Sequence, residues 1–405
     1  MNYQKIKRNA GMFFSLLLLI PMACGQLNEK AVAELNNIVK EVRRQYAPDV
    51  RDEVYDIRLV DNNGRLTVKG VTTVDEARMK LLQQLHDTYG RAVNDSIILL
   101  PDPALGDDVR YGVVNVSVAN VRMGADYAAE MGTQLLLGAP VQVLQHDDWW
   151  RIKSAEGYIA WITGSSFVCM SKEAFNQWTA ARKIIFTDIY GFAYESADAG
   201  RHVSDLVFGN LLRYEGEEGA FYKVAYPDGR RAYVSKSQAV HYDEWLSSVS
   251  LTEESIIRKA LTLRGVPYSW GGTSTKAVDC SGFSKTVFLM HGVILRRDAS
   301  QQAKTGIPVD ISEGYDQLRP GDLMFFGVKE QDGKKERVRH VGIYMGDREF
   351  IHSIGYVRVG SLDSTRANYD EHNTREFIRA ARVIGAVGAE GIWRIDQNPL
   401  YREQE

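Results

Sequence analysis

Cys280 lies in the segment Val278-Asp279-Cys280-Ser281-Gly282-Phe283, at the start of a helix that apolar residues at helical spacing predict. A helix N-terminus carries roughly half a positive charge and unpaired N–H groups, both of which favour a thiolate. The same N–H groups can stabilise the oxyanion of an attacked carbonyl. We therefore interpret Cys280 as a nucleophile and expect the helix to hold its sulfur ionised.

Two histidines are candidates for the general base that such a thiol needs. His340 opens the stretch Arg339-His340-Val341-Gly342-Ile343-Tyr344-Met345, and His352 follows 12 residues later. Turn-forming residues Gly346-Asp347-Arg348 separate them, so a hairpin would bring the two rings together across adjacent strands. His340 would then accept the Cys280 proton while His352 orients its ring, which gives the nucleophile, base and orienting residue of a triad.

The remaining histidines and cysteines receive structural interpretations. Cys24, Cys169 and Cys280 are the three cysteines, and we predict free thiols at Cys169, a buried small residue, and at Cys280. The C-terminal domain lacks Cys-x-x-Cys and His-Glu-x-x-His spacing, which disfavours a zinc site. The histidines interpreted as structural are His86, His146, His202, His241, His291 and His372.

The first 25 residues are typical of an export signal. A basic stretch at residues 5–8 precedes the apolar run Met12 to Ile20, which is too short to span a bilayer. The following Pro21-Met22-Ala23-Cys24-Gly25 resembles a bacterial lipobox, in which Cys24 would be lipidated; ordinary cleavage after Gly25 is the alternative. Either outcome predicts a periplasmic or cell-envelope protein, attached to a membrane only through a lipid on Cys24.

Length and patterning predict several units that must position these residues. A chain of 405 residues suggests more than one domain, and a formal net charge of -3 gives no reason to expect nucleic-acid binding. Helices followed by strands predict an α+β fold for the last unit, and the order of strands and turns in the two middle units predicts a diverged tandem repeat. The predicted units are a signal peptide at 1–25, a small α+β segment at 27–105, β modules at 108–170 and 183–243, and the last unit at 251–387.

Five short motifs in the last unit resemble the NlpC-type cell-wall cysteine peptidases, which have a papain-like core. The first β module resembles bacterial SH3-like modules, and the second does so more weakly. The resemblance implies an α+β architecture in which two small β-barrel SH3-like modules and the N-terminal segment precede a papain-like peptidase domain. The motifs are Tyr268-Ser269-Trp270-Gly271-Gly272, Asp279-Cys280-Ser281-Gly282-Phe283, Pro320-Gly321-Asp322-Leu323, His340-Val341-Gly342-Ile343-Tyr344 and His352-Ser353.

The resemblance also implies roles for individual residues. Cys280, His340 and His352 would be nucleophile, base and third polar residue, and Tyr268 would approach the oxyanion or thiolate. In the similar subgroup, an acidic residue and a tyrosine from the first module close one end of the cleft and, with the Asp before the nucleophile, hold the substrate ammonium. The matching substrate-binding positions are Glu130, Tyr158 and Asp279, with Ser281 and Ser300 as candidates for contacting a D-Glu carboxylate.

The subgroup cleaves the γ-D-glutamyl–diamino acid bond of peptides that carry a free N-terminal L-Ala. We therefore expect peptidoglycan-derived peptides as substrates, a monomeric enzyme, and no metal or organic cofactor. Two alternatives remain at this point. One is an N-acyl amidase or acyltransferase on the same core, and the other is a wall-binding adaptor whose SH3-like modules carry the function beside an inactive peptidase domain.

Overall fold

The computed structural model describes residues 29–62, 65–90, 92–331, 333 and 335–404. The predicted signal peptide and the lipobox cysteine Cys24 lie outside these residues. Within the described ranges, no helix is both long and apolar enough to cross a bilayer. The described chain combines helices with several separate sheets, which confirms the predicted α+β class.

The N-terminal segment packs two helices on a three-stranded sheet. β1 and β2 are antiparallel, whereas β3 runs parallel to β2 because α2 forms the crossover between them. Leu35 and Val42 of the first helix and Leu81 and Leu85 of the second are buried in one shared core. The elements are α1 Glu29–Tyr46, β1 Tyr55–Asn62, β2 Arg65–Thr72, α2 Asp75–Tyr89 and β3 Val93–Leu99.

The two middle modules have the same architecture. Each forms a seven-stranded sheet. The strand order is β10-β4-β7-β8-β9-β5-β6 in the first module and β13-β12-β16-β15-β14-β11-β17 in the second. The second order is the reverse of the first when each strand is replaced by the strand seven positions later in the chain. This shared topology is what a diverged tandem repeat produces. The first module contains β4 Tyr111–Val114, β5 Val118–Arg122, β6 Met131–Leu136, β7 Pro140–His146, β8 Trp150–Ser154, β9 Ile159–Ile162 and β10 Phe167–Met170. After α3 Lys172–Ala180, the second contains β11 Lys183–Phe186, β12 Tyr190–Tyr194, β13 His202–Val207, β14 Leu211–Glu218, β15 Phe221–Ala225, β16 Arg231–Ser235 and β17 Ala239–His241.

The last unit packs helices against a six-stranded sheet of order β21-β26-β22-β23-β24-β25. Its central helix is buried on nearly every face, as Phe283, Val287 and Phe288 show. β27 pairs with β20, so the packed unit continues past residue 387, where the sequence predicted its end. The elements are α4 Tyr242–Ser248, α5 Glu253–Thr262, β18 Thr273–Ser274, β19 Ala277–Val278, α6 Cys280–Leu289, β20 Val293–Leu295, α7 Ala299–Gln302, β21 Ile307–Val309, β22 Leu323–Val328, β23 Arg337–Gly346, β24 Glu349–Ile354, β25 Tyr356–Ser361, α8 Glu371–Glu376, β26 Phe377–Arg382 and β27 Ile392–Arg394.

Candidate active site

Cys280 is the first residue of α6, as the sequence predicted. Asp279 caps the helix, because its carboxylate accepts a hydrogen bond from the Gly282 N–H at 2.7 Å. Gly282 packs so closely on the preceding loop that a Cβ there would collide with the carbonyl oxygen of Gly272. The absence of a side chain at Gly282 therefore lets the N-terminus of the helix pack against this loop.

The sulfur of Cys280 is not ionised by its position alone, contrary to the expectation from the sequence. Burial raises the pKa of the thiol to about 12, and the negative charge of Asp279 adds to this effect. The N–H groups of Val341 and Ser281 and the charge of Arg297 lower the pKa, but they do not offset burial. Burial and the charge of Asp279 therefore favour the neutral thiol over the thiolate.

The two histidines meet on the predicted hairpin. His340 lies on β23 and His352 on β24, and the His340 Nε2 is 2.8 Å from the His352 Nδ1. The strands turn at Asp347 and Arg348, which have φ angles of 47° and 62°. These left-handed conformations are those of the tight turns that connect hairpins. The prediction that a turn after Gly346 brings the histidines together is confirmed.

Asp370 completes this line of polar groups and was missed by the sequence analysis. Its Oδ2 is 3.7 Å from the Nε2 of His352, and it caps α8 by accepting from the Asn373 N–H. Burial alone would raise the pKa of Asp370, but the hydrogen bonds from Asn373 lower it, so the carboxylate is ionised. Its only sequence signal was an acidic residue before a short helix.

The negative charge of Asp370 favours the tautomer of His352 that carries its proton on Nε2. In that tautomer the His352 Nδ1 accepts from the His340 Nε2, and the His340 Nδ1 keeps a lone pair. Burial lowers the pKa of His340 to about 4, so its ring is neutral at neutral pH. The strand carrying His340 also directs the Val341 N–H at the Cys280 sulfur. A neutral thiol and a neutral imidazole are the forms between which a proton is transferred when such a thiol attacks a carbonyl group.

Tyr268 lies on the loop before the nucleophile and lines the same cleft. Burial raises the pKa of Tyr268 to about 12, with further contributions from Cys280 and Asp279. Its hydroxyl therefore keeps its proton and is available as a hydrogen-bond donor. The geometry is compatible with the role that the sequence predicted, which stays a prediction.

Arg297 forms a buried ion pair that the sequence analysis also missed. The side chain of Arg297 is 1% exposed, and its Nη2 lies 2.6 Å from the Oδ2 of Asp279. Its Nη1 donates to the Ser281 Oγ at 3.0 Å, while the Gly271 N–H donates to Asp279 at 2.9 Å. The oxygens of Asp279 are thus already engaged, and its predicted contact with a substrate ammonium stays a prediction.

The first SH3-like module forms one wall of the cleft. Glu130 accepts a hydrogen bond from the indole Nε1 of Trp270 at 2.7 Å, which fixes this carboxylate beside the loop of Tyr268. Tyr158 is 4% exposed, and its hydroxyl lies 3.4 Å from the sulfur of Met123. Both residues line the cleft, as the sequence predicted, although the structure does not test whether they contact an amine.

Ser300 also lines the cleft, from the first turn of α7. The N-terminal segment reaches it here, because Arg51 donates to the Ser300 Oγ at 3.0 Å. The sequence gave no signal for this contact, since the two residues are 249 positions apart.

The resulting cleft has a volume of about 940 Å³, enough for a short peptide. Three parts of the chain line it: the N-terminal segment, the first module and the last unit. Four basic residues and one acidic residue of the last unit also line the cleft: Lys304, Arg337, Arg339, Arg379 and Glu336. Among the described residues, no cluster of three or more His, Cys, Asp or Glu side chains could hold a metal ion.

Two parts of the chain match known protein families. Residues 265–379 match the NlpC/P60 family and residues 117–168 match the bacterial SH3 domain. The chain is 28% identical over 235 residues to a gamma-D-glutamyl-L-lysine dipeptidyl-peptidase of Bacillus cereus, covering 56% of this chain and 68% of that protein. It is 27% identical over 290 residues to dipeptidyl-peptidase 6 of Lysinibacillus sphaericus, covering 68% of this chain and 98% of that protein.

A solved structure supports the fold. The crystal structure of an NlpC/P60 family protein from Bacillus cereus has a TM-score of 0.57 to this chain at 23% identity. The match covers 67% of this chain and 99% of that chain. The fold of about two thirds of this chain therefore has a counterpart in a solved structure.

Proposed function

The chain belongs to the NlpC/P60 family and is a cysteine peptidase, and from this premise we propose that it hydrolyses the γ-D-glutamyl–diamino acid bond of peptidoglycan-derived peptides with a free N-terminal L-Ala. The diamino acid is diaminopimelate or lysine. The names of the Bacillus cereus and Lysinibacillus sphaericus relatives support this proposal. The observation that carries it is the shared cleft, which Glu130 and Tyr158 of the first module line together with Cys280.

The proposed chemistry begins with attack of the Cys280 sulfur on the γ-carbonyl carbon of D-Glu. As the S–C bond forms, the thiol proton moves to the Nδ1 of His340. The Ser281 N–H at the helix N-terminus and the Tyr268 hydroxyl would donate hydrogen bonds to the oxyanion. The negative charge of Asp370 stabilises the imidazolium through His352.

The intermediate then collapses. The C–N bond breaks, the imidazolium of His340 gives its proton to the leaving amine, and an acyl-enzyme remains on Cys280. Water attacks the thioester while His340 takes one of its protons, and return of that proton to sulfur releases L-Ala-D-Glu. These steps conserve all protons and electrons, so the proposed reaction requires no cofactor.

Glu130 and Tyr158 would set the length of the acyl part. A carboxylate held by Trp270 at the module wall can pair with the ammonium of L-Ala, which fixes the peptide end in the cleft. Asp279 adds negative charge behind this site, and Ser281 and Ser300 supply hydroxyl groups for the free carboxylate of D-Glu. Because the wall closes this end, two residues precede the bond that is cut.

The cellular setting is part of the proposal. The protein would act outside the cytoplasm as a monomer, either anchored through a lipid on Cys24 or released after ordinary signal cleavage. Incorporation of labelled fatty acid into the wild type but not into Cys24→Ala would support the anchor. Light scattering of the purified chain at one protomer mass would support the monomer.

The decisive experiment incubates the full chain with L-Ala-γ-D-Glu-diaminopimelate and with its lysine counterpart, and identifies the products by mass. We expect L-Ala-D-Glu and the free diamino acid from the wild type, and no products from Cys280→Ala. A peptide acetylated at the L-Ala amine should resist cleavage. Cleavage of the acetylated peptide at an equal rate, or full activity of Cys280→Ala, would refute the proposal.

A further inference from the structure

The loop between α1 and β1 forms hydrogen bonds that connect the N-terminal segment to residues 298–301 of the last unit. Arg51 Nη1 donates to Asp298 Oδ2 at 2.7 Å and to Ser300 Oγ at 3.0 Å. The neighbouring Asp52 accepts from Gln301 Nε2 at 2.8 Å. This loop lies outside residues 117–168 and 265–379, so neither matched family accounts for it.

The same loop also touches the module wall. The carbonyl of Arg51 accepts from the Ile159 N–H at 2.7 Å, directly after Tyr158. The guanidinium itself is held from behind, because Asp49 accepts from its Nε at 2.7 Å and from its Nη2 at 2.6 Å. A guanidinium fixed along one edge presents its remaining nitrogen, Nη1, to the two acceptors Asp298 and Ser300.

The chemistry of the two groups fixes the role of the hydroxyl. A guanidinium only donates hydrogen bonds, so the Ser300 oxygen must accept from Arg51. The hydroxyl proton is then left to donate elsewhere, and within the described ranges no protein acceptor for it is found. Ser300 shares its cleft with Cys280, so an acceptor atom of a bound substrate is the partner that the geometry leaves open.

We infer that Arg51 is a positioning residue that occupies one lone pair of the Ser300 oxygen and directs the hydroxyl proton away from itself, and that the N-terminal segment thereby favours recognition of a substrate carboxylate. This inference rests on the proposed function, in which that carboxylate is the free α-carboxylate of D-Glu. A hydroxyl polarised by a cation donates most strongly to an anionic acceptor. Without Arg51, the Ser300 hydroxyl rotates freely, so it distinguishes a carboxylate from a carboxamide less well.

The test compares L-Ala-γ-D-Glu-diaminopimelate with the same peptide carrying an α-carboxamide in place of the α-carboxylate. We expect the wild type to prefer the carboxylate by about tenfold in kcat/KM. Arg51→Met should lose about tenfold on the carboxylate peptide, mainly through KM, and little on the carboxamide. Arg51→Lys, which keeps a cationic donor, should recover part of the preference. Arg58→Met, an exposed arginine of the same segment outside the cleft, is the matched control and should behave as wild type.

A double-mutant cycle tests whether Arg51 acts through the hydroxyl. Because the two residues are in contact, Arg51→Met should cost nothing further in a Ser300→Ala background. Equal losses on both peptides, or additive losses in the cycle, would overturn the inference and leave Arg51 a structural residue. If the wild type cleaves neither peptide, the proposed function itself fails. If it cleaves both peptides and Arg51→Met keeps the wild-type preference, only the inference fails.

Discussion

The Nε2 of His340 lies 2.8 Å from the Nδ1 of His352. Since this contact engages one nitrogen of His340, the other is the nitrogen that can serve the thiol. In the proposed mechanism, the Nδ1 of His340 is therefore the base. His352 is fully buried, so its ring is fixed by packing as well as by this bond.

Replacing His352 tests the orienting role. Asparagine keeps an oxygen that can accept from the His340 Nε2, whereas alanine removes the acceptor. We expect His352→Ala to lose about 100-fold in kcat/KM, because the base is then free to rotate. His352→Asn should retain clearly more activity, and circular dichroism with thermal melting checks that both variants are folded. Equal activity of the two variants would mean that the bond does not orient His340.

On the acid side of its pH profile, kcat/KM should fall only at an unusually low pH. Burial lowers the pKa of His340 to about 4, so the neutral base is populated at every pH above that value. Activity should therefore stay nearly constant from pH 8 to about 5.5 and fall only as the pH approaches 4. The Asp370→Asn variant should lose activity only at a still lower pH, because the Asp370 carboxylate raises the pKa of His340. A limb centred near 6.5 in the wild type would contradict this account.

Glu130→Gln tests the proposed amine site with a side chain of the same shape. Glutamine keeps an oxygen for the Trp270 indole but loses the charge that would pair with an ammonium. We expect kcat/KM on the free-amine peptide to fall by about 10- to 100-fold, mainly through a higher KM, as loss of a charged hydrogen bond predicts. Glu254→Gln, at an exposed position of α5, is the control. An unchanged KM in Glu130→Gln would remove this residue from the site.

A buried ion pair joins the first module to the helix of the nucleophile, and its loss should be costly. Lys285 on α6 lies 3.1 Å from Glu156, whose side chain is 3% exposed. Burial alone would raise the pKa of Glu156, but Lys285 lowers it, so the carboxylate is charged. Lys285→Met should reduce the free energy of unfolding by about 3–5 kcal/mol, because it leaves a buried unpaired charge. Adding Glu156→Gln should recover much of this loss in urea unfolding, and failure to do so would refute the pairing argument.

Gly342 leaves room for the histidine pair. An added Cβ would lie 3.1 Å from the Phe350 ring and 3.3 Å from the Cβ of His352, so the neighbouring strand must shift. We expect Gly342→Ala to destabilise the fold by about 1–3 kcal/mol. Activity measured well below the melting temperature should fall as well, since His352 moves relative to His340. Gly106→Ala, whose added Cβ meets nothing within 4 Å and whose φ is not positive, controls for the loss of a glycine alone. Full activity in Gly342→Ala would show that the strand absorbs the change.

The sequence by itself determined the parts of the site that depend on local rules. The cap Asp279, the helix start at Cys280 and the hairpin that pairs His340 with His352 follow from residues within a few positions of one another. Helix caps and tight turns are short-range structures, so their residue types and spacing predict them.

Tertiary structure decided everything that depends on distant segments and on burial. The contacts of Arg297 with Asp279, of Trp270 with Glu130 and of Arg51 with Ser300 join separate parts of the chain, and no periodic pattern specifies them. The protonation of Cys280 was mistaken from the sequence for the same reason. The helix end that favours a thiolate is a local feature. The desolvation that raises the pKa of the thiol arises only in the folded protein, where distant segments bury the sulfur.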